Sequence, residues 1–369
     1  MSNYKASTAQ ARLGQVKDFL TGNMSATTIP FDPNASKFPS RKDIPQPAHA
    51  LKDVQASWVW GENDQIGRLN LLTPTRIKAA AKSEILSGEL VSLNLPLNHP
   101  TTPGFARQAF HHEIRPLAEN VAYDDFWNAN TQSGTQWDGF RHFAHMPTQT
   151  FYNGTKATDI VGPSANLKCS QHYWGDHGIA GRGILLDWKS YAERKGIPFN
   201  PYESDSISLA ELQACGKDQG IDIRPAAQGG DVQIGDMLFI RSGFISSYFS
   251  KTPEEREKLA LRPHALGPDD GQRWAGLKQE DPMLDWLHDC WFATVAGDSP
   301  TFEAWPTPLE YHLHEYLLAL WGCPIGEMVD LEQLSRTCRE KGRWTFFVTS
   351  SPANVPGGVA SHVNGLAIF

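Results

Sequence analysis

Short aliphatic runs alternate along this chain with segments that begin like helices, and this alternation limits the fold more than composition does. The runs have the length and residue types of β-strands, and they read LVSLNLPL, GRGILLDW, GDMLFIRSGF, WTFFVTSS and GLAIF. Between them lie helix starts with a capping Ser or Thr followed by Pro or Glu, namely Thr73 with Pro74, Ser208 with Glu211, Thr252 with Pro253 and Glu255, and Thr307 with Pro308 and Glu310. Because the connections differ in length and no repeat recurs, the sequence predicts one α/β domain with a mixed central sheet.

Residues 1–50 differ from the rest of the chain. They are rich in Ser, Thr, Asn and Pro, and the stretch SATTIPFDPNASKFPSRKDIPQP has no periodic apolar pattern. We therefore expect an extended N-terminal arm over residues 1–50, laid over the domain or over a neighbouring subunit, and a single domain over residues 51–369. Such an arm favours a homo-oligomer, either a homodimer or a larger assembly.

Charge and composition favour a small-molecule partner. The net charge is −8, charged residues make up 20% of the chain, and the basic residues form no run, so the electrostatic footprint of a nucleic-acid-binding protein is missing. The first residues lack the apolar core of a secretory signal, and no stretch approaches the roughly 20 apolar residues of a membrane span. These patterns predict a soluble cytoplasmic protein with no membrane or nucleic-acid partner.

The stretch TQSGTQWDGFRHFAHM is the most unusual part of the sequence. Two glycines, Gly134 and Gly139, permit tight turns among closely spaced polar side chains. Those side chains are Gln132, Gln136, Asp138, Arg141, His142 and His145. Such density suits a loop that converges on a ligand, although a polar surface turn would have the same composition.

This stretch resembles the signature of the cyclase superfamily of metal-dependent hydrolases, which includes bacterial kynurenine formamidase and isatin hydrolase. The signature reads His-x-Gly-Thr-His-x-Asp-x-Pro-x-His-Phe, and the matching residues here are Gly134, Thr135, Asp138, His142 and Phe143. A second family pattern, His-x-x-Leu-Leu followed by Glu, matches His314, Leu317, Leu318 and Glu327. Further landmarks occur in family order, namely WGENDQIGRLNLLTP, GRGILLD, GDMLFIRSGF, VAGDSP and GLAIF. The resemblance implies the swivelling β/β/α-like domain of that family and its habit of forming homo-oligomers.

The resemblance also implies roles for individual residues. Asp138, His314 and Glu327 would be metal ligands, with Gln136 available as a further one. His142 would be the acid/base and would act together with Asp138 and Glu327. The implied cofactor is a divalent metal, manganese or zinc, without an organic cofactor.

Two signature histidines are replaced in this chain by Gln132 and Gln136. An amide oxygen is a weaker and harder ligand than imidazole, so the exchange favours oxygen-preferring cations such as manganese over zinc. The same residues would also work without a metal. Asp138 and Glu327 close together would raise the pKa of one carboxyl group, His142 would move protons, and the two amides would donate to a developing oxyanion. Both arrangements stay open at this point.

Five side chains are predicted to contact the substrate, and several of them also have a structural explanation. They are Gln132, Gln136, Trp137, Arg141 and His145. Trp137 would stack on an aromatic substrate or, by strand alternation, point into the core. Arg141 would pair with a substrate carboxylate or tie down its own loop, and His145 would line the pocket or serve as a polar packing residue.

The run LEYHLHEYLLALWG reads as a helix that carries two histidines. On a helix His312 and His314 would point about 160° apart, because each residue turns the wheel by about 100°. They would then be unable to reach one ligand, and only the family spacing selects His314.

We therefore expect a hydrolase of the amidohydrolase or lactonase type. It would cleave a C–N or C–O bond of a small amide, cyclic amide or lactone by water attack, and the residues that assist would be Asp138, His142, His314 and Glu327. The alternatives are a metal-free lyase or dehydratase on the same fold, and a small-molecule-binding protein that has lost catalysis.

Overall fold

The structure is a computed structural model that describes residues 31–51, 54–267 and 269–369. Most of the predicted N-terminal arm, residues 1–30, lies outside the described residues. The rest of the arm is irregular apart from a short 3-10 helix at Arg41–Asp43, and it packs on the domain. The Phe38 ring lies 4.5 Å from the Trp291 ring, and Arg41 Nε donates to Asp285 Oδ1 at 2.7 Å. The division into arm and domain stays a prediction.

Strands occur in each of the aliphatic runs, with further short strands between them. Their bounds are β1 Leu90–Ser92, β2 His111–Ala118, β3 Ala122–Asn128, β4 Gln136–Asp138, β5 Ile179–Leu186, β6 Ser206–Ile207, β7 Met237–Ile240, β8 Gly276–Leu277, β9 Thr294–Gly297, β10 Ile325–Glu327, β11 Thr345–Ser350, β12 Ala360–His362 and β13 Gly365–Ile368. Only the first part of the run LVSLNLPL pairs with a neighbour, so β1 is shorter than the run predicted.

Nine of these strands form one mixed sheet in the order β1-β13-β11-β5-β7-β9-β10-β4-β12. The strands β5, β7, β9 and β10 run parallel at its centre, and antiparallel pairs extend it on both sides. The strands β2 and β3 form a separate hairpin, and β6 pairs with β8. The predicted α/β fold with a mixed sheet is confirmed.

Helices fill many of the connections between strands. Their bounds are α1 Pro74–Glu84, α2 Ala157–Ile160, α3 His172–His177, α4 Trp188–Lys195, α5 Leu209–Asp218, α6 Phe244–Ser250, α7 Pro253–Ala260, α8 Asp281–Asp289 and α9 Glu332–Lys341. Three predicted helix starts are confirmed: Thr73 caps α1, while Ser208 and Thr252 each form a capping box with the Glu three residues later. None of the helices in the described ranges is both long and apolar enough to cross a membrane.

The fourth predicted helix start, at Thr307, is wrong. Residues 308–310 form a bend, because the Thr307 hydroxyl closes a local turn instead of capping a helix. It donates to the Tyr311 carbonyl at 3.0 Å and accepts from the Leu309 N–H at 3.1 Å. The helical segment forms later and is centred on a π-helical turn over Glu315–Leu320.

Two apolar clusters hold the sheet and its connections together. The larger one joins residues from most of the elements. The smaller one includes Trp305 and Met328, which lie close in the chain to Glu303 and Glu327. Apolar packing therefore fixes the two segments that carry these acidic side chains.

His288, near the C-terminal end of α8, is fully buried. Its Nδ1 atom lies 2.9 Å from Asp289 Oδ1, and its Nε2 atom lies 2.9 Å from the Ser57 hydroxyl. Burial, with a contribution from the nearby Arg68 guanidinium, lowers the pKa of this imidazole to about 4. The folded protein therefore holds His288 neutral over most of the physiological pH range.

We expect His288 to make stability depend on pH. In the unfolded chain the imidazole has its ordinary pKa of 6.5, so the unfolded state takes up a proton first as the pH falls. The stability present above pH 6.5 is then lost as the pH falls towards 4, by about 3 kcal/mol at 1.36 kcal/mol per pKa unit. Urea denaturation of the wild type and His288→Gln, at about pH 7 and about pH 4.5, measures this loss. The advantage of the wild type should shrink at the lower pH, and an equal difference at both pH values would contradict the prediction.

Candidate active site

The candidate site is built on β4, which lies between β10 and β12 in the large sheet. In the antiparallel pairing of β4 with β10, Gln136 lies opposite Glu327 and Asp138 lies opposite Ile325. Because side chains alternate between the faces of a strand, Gln136 and Asp138 share a face with Glu327, while Trp137 points to the other face. The register of the sheet therefore places two carboxylates and an amide side by side.

The ends of β4 are fixed by close contacts with neighbouring segments. The Gly139 N–H donates to the Val359 carbonyl at 3.0 Å, and any side chain at this position would collide with that oxygen. At the other end, the Thr135 hydroxyl donates to the Met328 carbonyl at 2.6 Å. Position 139 therefore requires glycine, because the Val359 carbonyl passes too close for any side chain. The two hydrogen bonds hold β4 in register with its neighbours.

Gln132 and Gln136 turn their amide nitrogens toward the carboxylates. Gln132 Nε2 donates to Asp138 Oδ1 at 2.6 Å. Gln136 Nε2 lies between the two acids and donates to Asp138 Oδ1 at 3.1 Å and to Glu327 Oε2 at 2.9 Å. The two glutamines, which replace family imidazoles, therefore hold the carboxylates in position through their N–H groups.

His314 lies among three carboxylates. Its Nε2 atom is 3.2 Å from Glu327 Oε1 and 3.6 Å from Asp138 Oδ2, and its Nδ1 atom is 2.7 Å from Glu303 Oε2. Glu303 is fully buried and also accepts from the His314 backbone N–H at 3.3 Å. His312 Nδ1 lies 3.9 Å from the same carboxylate. At that distance His312 forms no hydrogen bond with Glu303, and only His314 joins the group with Asp138 and His142. The helical wheel does not describe the pair, because His312 precedes the helix.

Burial and charge separate the pKa values of the two carboxyl groups. Burial raises the pKa of Glu327 to about 7, and the negative charge of Asp138 adds to the rise. At Asp138 burial acts in the same direction, but the charges of His142 and His314 outweigh it and lower the pKa to about 2. Burial lowers the pKa of His142 to about 4. At His314 the surrounding carboxylates, above all Glu303, outweigh burial and raise the pKa well above its ordinary value.

Near neutral pH the site therefore contains four groups in different states. Asp138 is ionised, Glu327 exchanges a proton, His142 is neutral and His314 is a cation. A base and an acid are thus available together in one buried cluster, which is the condition for acid/base chemistry.

Two buried oxygen atoms of the site, Asp138 Oδ2 and Gln136 Oε1, have no hydrogen-bond partner in the part of the chain that the structure describes. His142 Nε2 lies 3.8 Å from Asp138 Oδ2, and one ligand atom each from Asp138, His142 and His314 lie within 4.8 Å of one another. A carboxylate and two imidazoles form a donor set that binds zinc or manganese, so these residues fit one divalent cation. The predicted metal ligands were Asp138, His314, Glu327 and Gln136. The group that the structure brings together contains His142 in addition to Asp138 and His314, whereas Glu327 lies 3.2 Å from His314 Nε2.

Arg141, predicted to contact the substrate, is buried and directed at backbone carbonyls. Its guanidinium donates to the carbonyls of Asn166 and Lys168, both at 2.7 Å, and to that of Gly357 at 3.4 Å. These contacts join two loops beside β4 and favour the loop-tying explanation.

Trp137 and His145, also predicted to contact the substrate, have structural partners as well. Trp137 is fully buried and its Nε1 donates to Ser350 Oγ at 2.9 Å, on the face of β4 opposite to Asp138. His145 Nδ1 lies 2.8 Å from the Thr148 hydroxyl in the following turn. These contacts favour packing roles for both residues.

Two residues that did not stand out in the sequence lie near the site. Arg107 Nη1 donates to the Gln132 carbonyl at 2.8 Å, and its charge contributes to the low pKa of Asp138. His362 on β12 lies opposite Gln136 and therefore shares its face of the sheet. Neither belongs to a readable motif, because both are placed by strand pairing and loop packing between distant segments.

Glu303 should act as a positioning residue for His314. Replacing Glu303 by Gln is expected to lower activity about 10- to 100-fold, the usual effect of removing a group that orients a site histidine. The pKa of His314 should fall toward its ordinary value, because its largest charged partner is lost. Imidazole NMR measures that pKa directly. The matched control is Glu315→Gln, since Glu315 accepts only backbone N–H groups. An unchanged His314 titration in Glu303→Gln would contradict the prediction.

Comparison with known families gives a clear assignment. The family model Cyclase, described as "Putative cyclase", matches residues 91–304. This chain belongs to the cyclase family. The match includes β4 with Asp138, and the predicted family membership is confirmed.

Solved structures agree with the place of this chain among the cyclases. A crystal structure described as a novel cyclase is 28% identical to it, and the similarity covers 85% of this chain and 99% of the other, with a TM-score of 0.71. Isatin hydrolase A from Ralstonia solanacearum is 15% identical over 80% of this chain and 98% of its own, with a TM-score of 0.51, and so shares the fold. No curated protein matches the sequence. The comparisons therefore establish the family and the fold of this cyclase.

Proposed function

We propose that this cyclase-family protein is a hydrolase that cleaves a C–N or C–O bond in a small amide, cyclic amide or lactone. The observation that carries the proposal is a buried pair of acids, Asp138 and Glu327, with widely separated pKa values. Gln136 binds both of them. Such pairs are typical of sites in which one group stays ionised while another exchanges a proton. The shared fold with isatin hydrolase A, which is named for a hydrolysis, supports the reaction class without indicating the substrate.

In the proposed reaction the side chains orient a water molecule and move its proton. Asp138 Oδ2 accepts a hydrogen bond from the water and directs its oxygen at the acyl carbon. His142 is neutral and 22% exposed, so it accepts a proton as the new C–O bond forms. It then gives that proton to the leaving nitrogen or oxygen as the scissile bond breaks. The water oxygen remains on the acyl product, and His142 returns to its neutral form.

His314 balances the charge of this cluster. The His314 cation lies between Glu327 and Glu303 and close to Asp138, so it offsets part of the negative charge that would otherwise be costly in a buried site. Glu327, with a pKa of about 7, can release or take up a proton as the charge of the substrate changes.

A divalent cation, manganese or zinc, is the proposed cofactor. Asp138, His142 and His314 would hold it, and when bound it would polarise the acyl oxygen and lower the pKa of water. Glu303 would then accept the Nδ1 proton of His314 and fix the ring, as carboxylates commonly do for histidine ligands. In that state His142 and His314 would be neutral ligands, the cation would offset the negative charge of Asp138, and Glu327, beside His314, would accept and return the proton in place of His142.

A metal-free lyase or dehydratase is the second candidate. The observation in its favour is that Gln132 and Gln136 already satisfy Asp138 Oδ1 and Glu327 Oε2 without a cation. Proton transfer between His142 and Glu327 would then serve an elimination instead of a hydrolysis.

One experiment separates these candidates. Protein purified without chelators is analysed for metal and then assayed on amides, cyclic amides and lactones in water enriched in oxygen-18. The proposal expects about one equivalent of a divalent cation, loss of turnover with a chelator, and one labelled oxygen in each acid product. Turnover without the label would favour the lyase, and a panel on which nothing reacts would count against an enzyme for these bonds.

A further inference from the structure

Arg107 lies at the edge of the candidate active site, where it is half-buried and has unused hydrogen-bond donors. Among the described residues, its guanidinium makes one side-chain hydrogen bond, from Nη1 to the Gln132 carbonyl at 2.8 Å, and forms no ion pair. The planar arginine fork presents further N–H groups on Nε and Nη2. That edge of the guanidinium is therefore available to a ligand.

The charge of Arg107 reaches the reacting groups although none of their carboxylates pairs with it. Burial lowers the pKa of His142 to about 4, and the charge of Arg107 adds to this effect. At Asp138 it adds to the larger charge effects of the two histidines, which outweigh burial and lower the pKa to about 2. Gln132 lies between the two charges, because its Nε2 donates to Asp138 Oδ1 at 2.6 Å. The cation is thus near the acids but separate from them.

The segment before Arg107 holds the guanidinium in place. Phe105 and Ala106 have φ angles of 58° and 53°, a region that residues other than glycine seldom adopt unless their surroundings fix it. The Phe105 ring lies 4.9 Å from the His264 ring, and the guanidinium lies 5.2 Å from the centre of the Phe105 ring. Arg107 is therefore fixed by an aromatic ring on one side and by the Gln132 carbonyl on another. A ligand that binds to it has little further ordering to impose.

Other donors of the site are already in use. Gln132 and Gln136 direct their amide N–H groups at carboxylates, and both ring nitrogens of His314 face carboxylates. Arg141, for which the sequence suggested pairing with a substrate carboxylate, donates to loop carbonyls instead. Arg107 is therefore the group beside the site that combines a positive charge with unused N–H donors.

We propose that Arg107 binds a carboxylate of the substrate, so that the substrate is a small amide, cyclic amide or lactone with a carboxylate near the scissile bond. This inference rests on the proposed function, which places the acyl carbon next to Asp138 and His142. A carboxylate matches the free edge of the guanidinium through two parallel hydrogen bonds. The buried carboxylates of Asp138 and Glu303 would repel an anionic substrate, and a fixed cation offsets that repulsion.

A purely structural role for Arg107 makes a different prediction. If the guanidinium only supported the loop that carries Gln132, its loss would disturb the position of Asp138 and lower the turnover of every substrate alike. If it binds a carboxylate, its loss affects only substrates that carry this group. Neutral substrates of the same shape therefore separate the two roles.

Pairs of substrates that differ in one group test the proposal. Each pair contains an acid and its carboxamide, and the acids are N-acetylalanine, pyroglutamate and γ-carboxy-γ-butyrolactone. They represent an amide, a cyclic amide and a lactone, and the carboxamide keeps the shape of the carboxylate without its charge. For at least one pair, the wild type is expected to hydrolyse the acid with a kcat/KM about 30- to 1,000-fold above that of the carboxamide, as for a partly buried charge pair.

Arg107→Gln should remove this preference. Its kcat/KM for the acid should fall about 30- to 1,000-fold, mainly through KM, while that for the carboxamide changes by no more than a few-fold. Arg107→Lys keeps the charge without the fork and should retain part of the preference. The matched control is Arg256→Gln, since Arg256 on α7 also donates to backbone carbonyls, those of Tyr248 and Phe249, and lies 4.4 Å from the Tyr248 ring. It should keep the wild-type preference.

Calorimetry with the same acids and carboxamides gives a second measurement that needs no turnover. The wild type should bind the acid of a pair about 30-fold more tightly or better, and folded Arg107→Gln, checked by thermal unfolding, should bind both members equally. A wild type without preference for the acids, in turnover and in binding, would overturn the proposal. So would an Arg107→Gln protein that loses activity equally on both members. Preferential binding of acids without turnover of any substrate would support the carboxylate site and count against the hydrolase.

Discussion

Replacing Asp138 by Asn should lower kcat/KM by about 10³- to 10⁴-fold on any substrate of this protein, while the fold is retained. Asn has the same shape, and its oxygen can still accept from Gln132 and Gln136. Its NH₂ group, however, would replace the free acceptor Oδ2, which faces His142 and His314. The water would lose its acceptor and the His314 cation one of its counter-charges, and both losses raise the barrier.

The same substitution should move the pH dependence of the remaining activity. The charge of Asp138 contributes to the raised pKa of Glu327, so its removal lowers that pKa from about 7 toward the ordinary value. The ionised form of Glu327 then persists to lower pH, and the acidic limb of the pH–rate profile shifts the same way. An acidic limb that stays in place would show that Glu327 does not set it.

Asp236→Asn is the matched control for Asp138→Asn. Asp236, directly before β7, is also buried and forms an ion pair with Arg182 on β5 at 2.6 Å. Neither residue contacts Asp138, His142, His314 or Glu327 through a hydrogen bond or ion pair in the described part of the chain. This variant should lose stability, because a buried guanidinium is left without its partner, but it should keep kcat within a few-fold. Equal losses of activity in both variants would mean that stability, and not chemistry, explains the effect at Asp138.

Replacing His142 by Gln should lower kcat by about 10²- to 10⁴-fold, the usual range for loss of a proton-transfer group. The measurement that adds information is the metal content of the purified variant. If His142 is a ligand, as its position beside Asp138 and His314 indicates, the bound cation should fall together with kcat. A cation retained at the wild-type level, with activity restored by added imidazole, would instead make His142 a proton carrier only.

His145→Gln is the control for this experiment. His145 lies three residues further along the same segment, but its ring contacts the Thr148 hydroxyl, so activity and metal content should both stay close to those of the wild type. A His142→Gln protein that is fully active would remove His142 from the mechanism altogether.

The sequence predicted the central members of the site because they lie in motifs. The spacing of Asp138 and His142 in one stretch, and of His314 and Glu327 in another, resembled a family pattern, and the structure brings these four together. The orientation of Trp137 also followed from strand alternation as one of two alternatives. Because residues 136–138 form the strand β4, Trp137 points to the face opposite Asp138 and into the core.

Other features depended on contacts that no local pattern contains. Glu303 lies outside every motif, and its only sequence signal is a carboxylate between the apolar residues Phe302 and Ala304, where an unpaired charge would be costly. The Thr307 segment matches a capping box but closes a local turn instead. The relation between His312 and His314 could not be predicted, because it depended on where that helix begins.

The strand at the centre of the site has its partners very far along the chain. Gln136 and Glu327 are 191 residues apart in sequence, and β12, the other neighbour of β4, comes later still. Contacts of such long range form slowly, because a large loop must close before they contribute. During synthesis, β4 therefore cannot pair with β10 and β12 until residues 325–362 have left the ribosome. Mutations near residues 360–362 should consequently slow maturation of the enzyme more than their distance from Asp138 in the sequence would suggest.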